Sequence, residues 1–411
     1  MKEIAIEDKK RSPISWVPTL YFAMGLPFVM INMAATVMFR NLEISDAQIA
    51  FWTSLIMLPW TLKPLWSPFL EMYKTKKFFV ILTQTLTGLM FGLTALALNL
   101  PHFFAICIAI LAVIALSGAT HDIAADGVYM SALSKDDQAK YIGWQGAFYN
   151  IAKLVAQGGL VYVSGVLIKY FAGNIDGVTP FIQASSEHQA AVIAWMGILL
   201  FAGALMVAFG LYHIKFLPSE QKNENKVKPT FKETMDELVE TFIDLFRKRH
   251  IVYYICFIIL YRFAEGFVMK IVPLFLMADR ANQGLGLTNE QIGAYYGTYG
   301  SAAFVLGSLL AGYYVAHRGL QKSLFSLCCV FNLPFVAYTL LAIYQPTEMW
   351  IIGGAIMLEY FGYGFGFVGL TLFMMQQIAP GKHQMAHYAF ASGIMNLGVM
   401  LPGMLSGYVS D

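Results

Sequence analysis

The sequence predicts an all-α integral membrane protein, and three observations predict it. Of 411 residues, 58% are hydrophobic and 13% charged, about half the ~25% charge of soluble domains, which need polar residues to cover their surface. Eleven continuous apolar runs each supply the ~20 residues that an α-helix needs to cross ~30 Å of hydrocarbon. Twenty of the 27 Lys and Arg fall in the same alternate set of connections between those runs, the bias that orients helices in a membrane. This composition excludes a soluble enzyme, a secreted disulfide scaffold and a disordered adaptor. The net charge of +2 is too small for a nucleic-acid binder. The runs are continuous rather than alternating, which excludes a transmembrane barrel.

Taken in order, Lys2 to Arg11 is a basic leader into the first run, 15–39. That run is too long for a signal h-region and lacks a small-residue cleavage site, so it is expected to remain as span one. Spans two to six are expected at 47–70, 78–99, 103–133, 141–169 and 190–213, and spans seven to eleven at 250–277, 290–316, 321–343, 349–378 and 386–409. With the N-terminus cytoplasmic, only Arg40, Lys169 and Arg280 among the basic residues lie in outside loops. An odd count leaves Asp411 outside, and a chain stopping at SGYVSD is expected to be truncated before a twelfth helix. Cys107, Cys256, Cys328 and Cys329 all fall in apolar runs without metal-ligand spacing and read as small core residues.

The one long connection, 214–249, separates an expected N-terminal six-helix bundle, 1–213, from a C-terminal bundle, 250–411. Its first half, PSEQKNENKVKP, is polar, and its second half reads as an amphipathic helix. Thr230 and Glu233 have the spacing of a capping box, and Phe231, Met235, Leu238, Phe242 and Phe246 form an apolar stripe. The expected role is a connector lying along the membrane interface. Two helical halves joined this way follow the plan of a transporter built from repeats.

Eight ionisable residues fall within the spans: Lys63, Asp122, Asp126, Lys153, Arg262, Glu265, Lys270 and Glu359. At ~2.5–3.5 kcal/mol each on insertion scales, they are better explained by function than by stability. Counting ~1.5 Å per residue puts Lys153, Arg262, Glu265 and Glu359 near the midplane, and Lys63, Asp122 and Asp126 in the cytoplasmic half. Lys270 lies towards the outer face and is expected to snorkel. Asp122 and Asp126 share one helical face, an arrangement suited to holding a proton, while Arg262 and Glu265 are spaced to pair with each other. His121, beside Asp122, reads either as part of a proton relay or as a hydrogen-bond partner. Four glycines of LEYFGYGFGFVGL (358–370) permit close helix packing or a hinge.

Several strings carry a family resemblance. WSPFLEMYKTKK (66–77) and AGYYVAHRGLQKS (311–323) resemble the cytoplasmic loop motif of the major facilitator superfamily, with Glu71 for the usual Asp and His317 in that place in the second copy. The resemblance implies a latch between the halves, with Glu71, Lys74, Lys77, Arg318 and Lys322 as gating residues, and a cavity lined by spans one, four, seven and ten. FAMGLPFVM (22–30), LKPLWSPFLE (62–71), ATHDIAADGVYMSAL (119–133), FYNIAKLVAQGGL (148–160) and LYRFAEGF (260–267) resemble, within that superfamily, the AmpG-type muropeptide permeases. That likeness implies proton-coupled import, with Asp122 and Asp126 as coupling residues and Lys63, Arg262 and Glu265 as cavity charges. The chain departs from the pattern at Asn150, where the family is expected to place Arg after Tyr149, and Lys153 follows one turn later.

The expectation is therefore a monomeric proton symporter of the cytoplasmic membrane. It would import anhydro-muropeptides or related amino-sugar oligosaccharides by alternating access, without a cofactor or metal. Proton coupling is assigned to Asp122, Asp126, Glu265 and Glu359, and substrate binding to Lys63, Tyr149, Asn150, Lys153 and Arg262. Trp16, Tyr21, Phe22, Trp144 and Tyr149 are further candidates for stacking on sugar rings. The alternative is a facilitator-type transporter of another oligosaccharide, or a drug exporter. No GxxxxGK[ST] loop or HExxH motif occurs, which argues against an ATP-driven pump and an intramembrane metalloenzyme.

Overall fold

The computed structural model describes residues 12–175, 178–219, 231–287, 291 and 293–410. Among them, every regular element is helical, and eight helices are long and apolar enough to cross a membrane. These are span one (Pro13–Asn41), three (Lys76–Ala97), four (Phe103–Ala132), five (Lys135–Phe171), six (Glu187–Phe216), seven (counted over Ile251–Val268 of the helix Ile251–Met277), nine (Leu320–Tyr344) and ten (Met349–Ile378). The other expected spans are also helical. Span two runs through 46–73, span eight through Gly293–Tyr299 and Gly300–Arg318, and span eleven through Gln384–Ser410.

Local sequence sets the breaks. Span two is interrupted at Pro59, Pro64 and Pro68, and splits into Asp46–Leu55, Leu58–Leu62, the 3-10 turn Lys63–Leu65, and Ser67–Tyr73. Each proline removes an N–H from the helical ladder, so the segments restart with proline in their first turn. Span one carries Pro27 and then the π-helical turn Met30–Ala34. Span five loosens into a π-helical stretch, Leu154–Leu160, directly after Lys153. Starts are capped where the sequence supplies Ser or Thr: Thr75, Ser134 and Ser186 accept from the N–H groups of Phe78, Asp137 and Gln189.

Within the first half, span three packs between spans four and six, and span one lies on spans four and five. In the second half, seven packs on eleven, and ten lies between eight and nine. The halves meet where five packs on eight and eleven packs on two and four. Gly143 makes the five–eight contact possible, because a Cβ there would stand 2.3 Å from the Ser308 carbonyl oxygen. The glycine run on span ten is buried at Gly362, Gly364, Gly366 and Gly369 against spans eight and nine. Gly364, for one, would put a Cβ 2.2 Å from the Phe304 carbonyl oxygen, so the run serves close packing.

The linker helix, Phe231–Arg247, touches the end of span two and the starts of spans seven and eleven. Leu245 is buried, and Phe242 and Phe246 meet Phe390 edge-on at 5.9 and 5.8 Å. The His387 imidazole lies 3.1 Å from the Thr241 carbonyl. Lys248 donates to the carbonyls of Ile378 and Pro380, closing the end of span ten. Thr230 and the side chains of Phe231, Met235, Leu238 and Lys270 lie outside the described residues.

Candidate functional site

A cavity of about 480 Å³ lies between the halves, within the ~300–1,000 Å³ of small-molecule sites. Its walls come from spans one, two, four and five of the first half and seven, eight, ten and eleven of the second. Spans three, six and nine contribute nothing to it among the described residues. The expected lining by one, four, seven and ten is thus extended by the helices that join the halves.

The first-half wall carries the carboxylates. Asp122 and Asp126, one turn apart on span four, both face the cavity. Tyr21 of span one donates to Asp126 Oδ1 at 2.9 Å, and Gln145 of span five donates to the same oxygen at 3.3 Å. Trp60 of span two donates its indole N–H to Asp122 Oδ2 at 3.1 Å. Lys63, held on the 3-10 turn before Pro64, lines the same wall and interacts electrostatically with both carboxylates. Tyr388 of span eleven stands beside both, so a second-half helix borders the acidic cluster.

The other wall is basic. Arg262 of span seven lines the cavity and forms a bidentate pair with Glu265, with two N···O contacts of 2.6 Å. The Arg262 guanidinium also lies 5.4 Å from the centre of the Phe367 ring, and Tyr363 adjoins the pair. Lys153, Asn150 and Tyr149 of span five, from the first half, line the cavity as well, with Tyr149 between Asp122 and Tyr363. Asn150 donates to the Gly146 carbonyl, one turn back on its own helix.

Other expected residues fall elsewhere. Glu265 is 2% exposed and does not line the cavity itself, but meets it through Arg262 and Tyr363, which do. Glu359 is buried off the cavity and accepts a hydrogen bond from Tyr338 of span nine at 3.2 Å. Its helix has the position expected, but its side chain turns to the neighbouring span. His121 points away from the Asp122 face and meets Gln84, whose amide also reaches His213 of span six. Among the aromatics, Tyr21 and Tyr149 line the cavity, whereas Trp16, Phe22 and Trp144 do not. Phe22 packs on Phe209 and Trp144 stacks on Phe148, contacts that only the fold creates or selects.

Sequence reasoning missed Phe28, Trp60, Phe304, Tyr363, Phe367 and Tyr388 as cavity aromatics. Trp60, one turn before Lys63, carried a weak signal by spacing; Tyr388 carried none. Of the residues expected to gate, Lys74 is exposed over the Phe78 ring, Lys77 donates to the Leu217 carbonyl, and Arg318 donates to Tyr314. Phe78 and Tyr314 lie in the same half as the residues they meet, and Leu217 lies at the start of the linker. Lys322 is exposed, and the Glu71 side chain lies outside the described residues. At this end the halves are joined by Ser308 Oγ donating to the Gly143 carbonyl, by Gln376 donating to the Lys135 carbonyl, and by Met385 against Gly127.

Comparison with known proteins places this architecture. The profile of the Major Facilitator Superfamily matches residues 19–407. An uncharacterized protein of Haemophilus influenzae is 23% identical over 407 residues, covering 94% of this chain and 86% of the relative. A putative transporter AmpG 2 of Rickettsia prowazekii is 22% identical over 234 residues, covering 54% of this chain and 51% of the relative. The crystal structure of the E. coli fucose:proton symporter FucP superposes with a TM-score of 0.68 at 14% identity, covering 97% of this chain and 92% of that one. A bacterial homologue of the iron transporter ferroportin, in an outward-facing state, gives 0.62 at 11% identity, covering 98% and 93%.

Proposed function

The chain belongs to the Major Facilitator Superfamily, and within that family we propose that it is a proton-coupled importer of anhydro-muropeptides or related amino-sugar oligosaccharides. It is a multi-pass membrane transporter of small molecules. The observation that carries the finer reading is the Asp122–Asp126 pair facing a cavity shared by both halves, with Lys63 beside it and donors from spans one, two and five on its oxygens. Carboxylates on one helical face, adjoining a substrate-sized cavity, suit proton exchange linked to occupancy. The partial likeness to a putative AmpG transporter supports the muropeptide class.

In this reading, residues 1–213 and 250–411 rock as two bundles about the cavity, tethered by 214–249, and the chain acts as a monomer. The basic connections support a cytoplasmic linker end, and this reading puts the protein in the cytoplasmic membrane. The contacts between Gly143 and Ser308 and between Gly127 and Met385 then close the cytoplasmic side. Each proton moving inward contributes ~2.3 kcal/mol per 100 mV of membrane potential.

The test is uptake of labelled GlcNAc–anhydroMurNAc into proteoliposomes with and without an inward proton gradient. Accumulation is expected to follow the gradient and to be lost in an Asp122→Asn, Asp126→Asn double variant. Unchanged accumulation in that variant removes the coupling assignment. Robust uptake of a different saccharide alone keeps the transporter and replaces its substrate.

A further inference from the structure

Six oppositely charged side chains meet at the cavity, and their pairing is uneven. Arg262 is matched by Glu265 through two short contacts. Lys63 makes no hydrogen bond or ion pair among the described residues, but two carboxylates, Asp122 and Asp126, act on it electrostatically. Lys153 faces the same cavity and makes no hydrogen bond or ion pair among the described residues. The carboxylate that it feels is Glu265, whose two oxygens are already engaged by Arg262. The cavity lining it shares includes Asn150 and Tyr149 on its own span, Arg262 on span seven, Tyr363 on span ten, and Asp122 and Asp126 on span four, on which Lys63 acts. Glu359 turns away to Tyr338.

The backbone also changes at this residue, with a π-helical stretch of a kind that spans one, eight and ten carry as well. Lys153 is the last α-helical residue before the π-helical stretch Leu154–Leu160. Such wide turns recur at functional sites, because the inserted residue breaks the i→i−4 ladder and changes the direction of the side chains around it. An ammonium kept in a bundle interior without a close counter-ion is costly. Its retention at this turn calls for a counter-ion that arrives with the substrate.

We infer that Lys153 receives a carboxylate of the transported sugar, and that one proton on the Asp122–Asp126 pair accompanies each such anion, so that transport is electrically silent. The inference rests on the proton-coupled reading above and names the substrate class for it: sugars bearing a carboxylate. With both aspartates ionised, three cations face three carboxylates, counting Glu265. One proton leaves a single positive charge in excess, and a monoanion on Lys153 cancels it. The empty cavity and the fully loaded cavity are neutral, whereas proton alone or anion alone leaves a net charge in a low-dielectric site. Charge balance therefore couples the two loads without any contact between them.

The test uses the full chain in two assays. Thermal stabilisation in detergent compares N-acetylmuramic and glucuronic acids with N-acetylglucosamine and glucose, on the wild type, Lys153→Gln and Lys153→Arg. The acids are expected to stabilise the wild type and the Arg variant, and to lose about tenfold or more in affinity in the Gln variant, the size of one charged hydrogen bond. In proteoliposomes, uptake of GlcNAc–anhydroMurNAc is expected to ignore a valinomycin-imposed potential, while its neutral lactyl carboxamide is carried faster when the interior is negative. Equal stabilisation by acid and neutral sugars, or equal loss of both in Lys153→Gln, overturns the anion site. Uptake of the acid that is driven by potential as strongly as that of the amide overturns the charge balance. Lys153-dependent acid binding with uptake indifferent to the proton gradient retires the proton-coupled reading, and the silent coupling with it, but leaves the anion site. Gradient-driven uptake with no preference for acids overturns the present inference alone.

Discussion

Arg262 and Glu265 form a closed ion pair on a single helix, with both N···O contacts at 2.6 Å and exposures of only 7% and 2%. Because the pair is local to span seven, neither half of the molecule is held by it, and it can travel with its helix when the halves move. Breaking such a pair from one side leaves an uncompensated buried charge. Glu265→Gln is therefore expected to destabilise the protein by about 3–5 kcal/mol, while the double replacement Arg262→Met, Glu265→Leu costs much less. Thermal unfolding of the purified variants in detergent checks this. Equal loss in the single and double variants would show that the charges are not an energetic unit.

Asp126 accepts from Tyr21 and Gln145 on one oxygen. Asp126→Asn keeps an acceptor there and is expected to fold like the wild type, whatever becomes of transport. Asp126→Leu strands both donors, at about 1–3 kcal/mol each. Unfolding midpoints should separate the two variants, and a match between them would mean that the donors find water or other partners.

Gly143 sets the distance between spans five and eight, since a Cβ would meet the Ser308 carbonyl at 2.3 Å. Gly143→Val is expected to push the halves apart at the linker end and raise the share of molecules open there. Distances between spin labels at the exposed positions Lys140 and Lys322, measured by pulsed electron resonance, should lengthen. An unchanged distribution would place the pivot elsewhere.

Lys248 lies between the linker helix and span seven, where burial pushes its ammonium down to about 8 and Asp244 offsets part of that effect. Its folded-state value is thus below the ordinary lysine value of ~10.4, and the unfolded chain binds more protons between the two. Stability contributed through Lys248 should therefore rise as pH increases from about 8 towards 10. The melting temperature of the wild type is expected to gain on that of Lys248→Gln across this window. Parallel curves would show that the ammonium is as well solvated folded as unfolded.

Much of the fold was legible because a membrane imposes one rule on every span, a long apolar run with its backbone bonds satisfied internally. The places of Asp122, Asp126, Lys63, Lys153 and Arg262 at one cavity followed from the cost of charge in lipid, which leaves few positions to consider. Glu359 shows where this reasoning stops. Its position along span ten was legible, but its rotation towards Tyr338 depends on how span ten sits between eight and nine. Trp144 and Tyr388 show the same limit for aromatics, which are too common in this chain for residue type to mark a cavity.

Sequence alone determined the solvent of this protein and the residues whose charges demand an explanation, and it set the expectations for the number and orientation of the spans and for a break at the long linker. These are one-dimensional properties, set by runs of side chains against a slab of fixed thickness. The pairing of Arg262 with Glu265 on one helix was legible in their spacing. Only the tertiary structure decided the surroundings of the other cations: Lys63 is acted on by the two carboxylates of span four, and Lys153 has no carboxylate within ion-pair distance. Those surroundings depend on helix rotation and on approach distances of a few ångströms, which are fixed by contacts such as Gly143 against Ser308 between residues far apart in the chain.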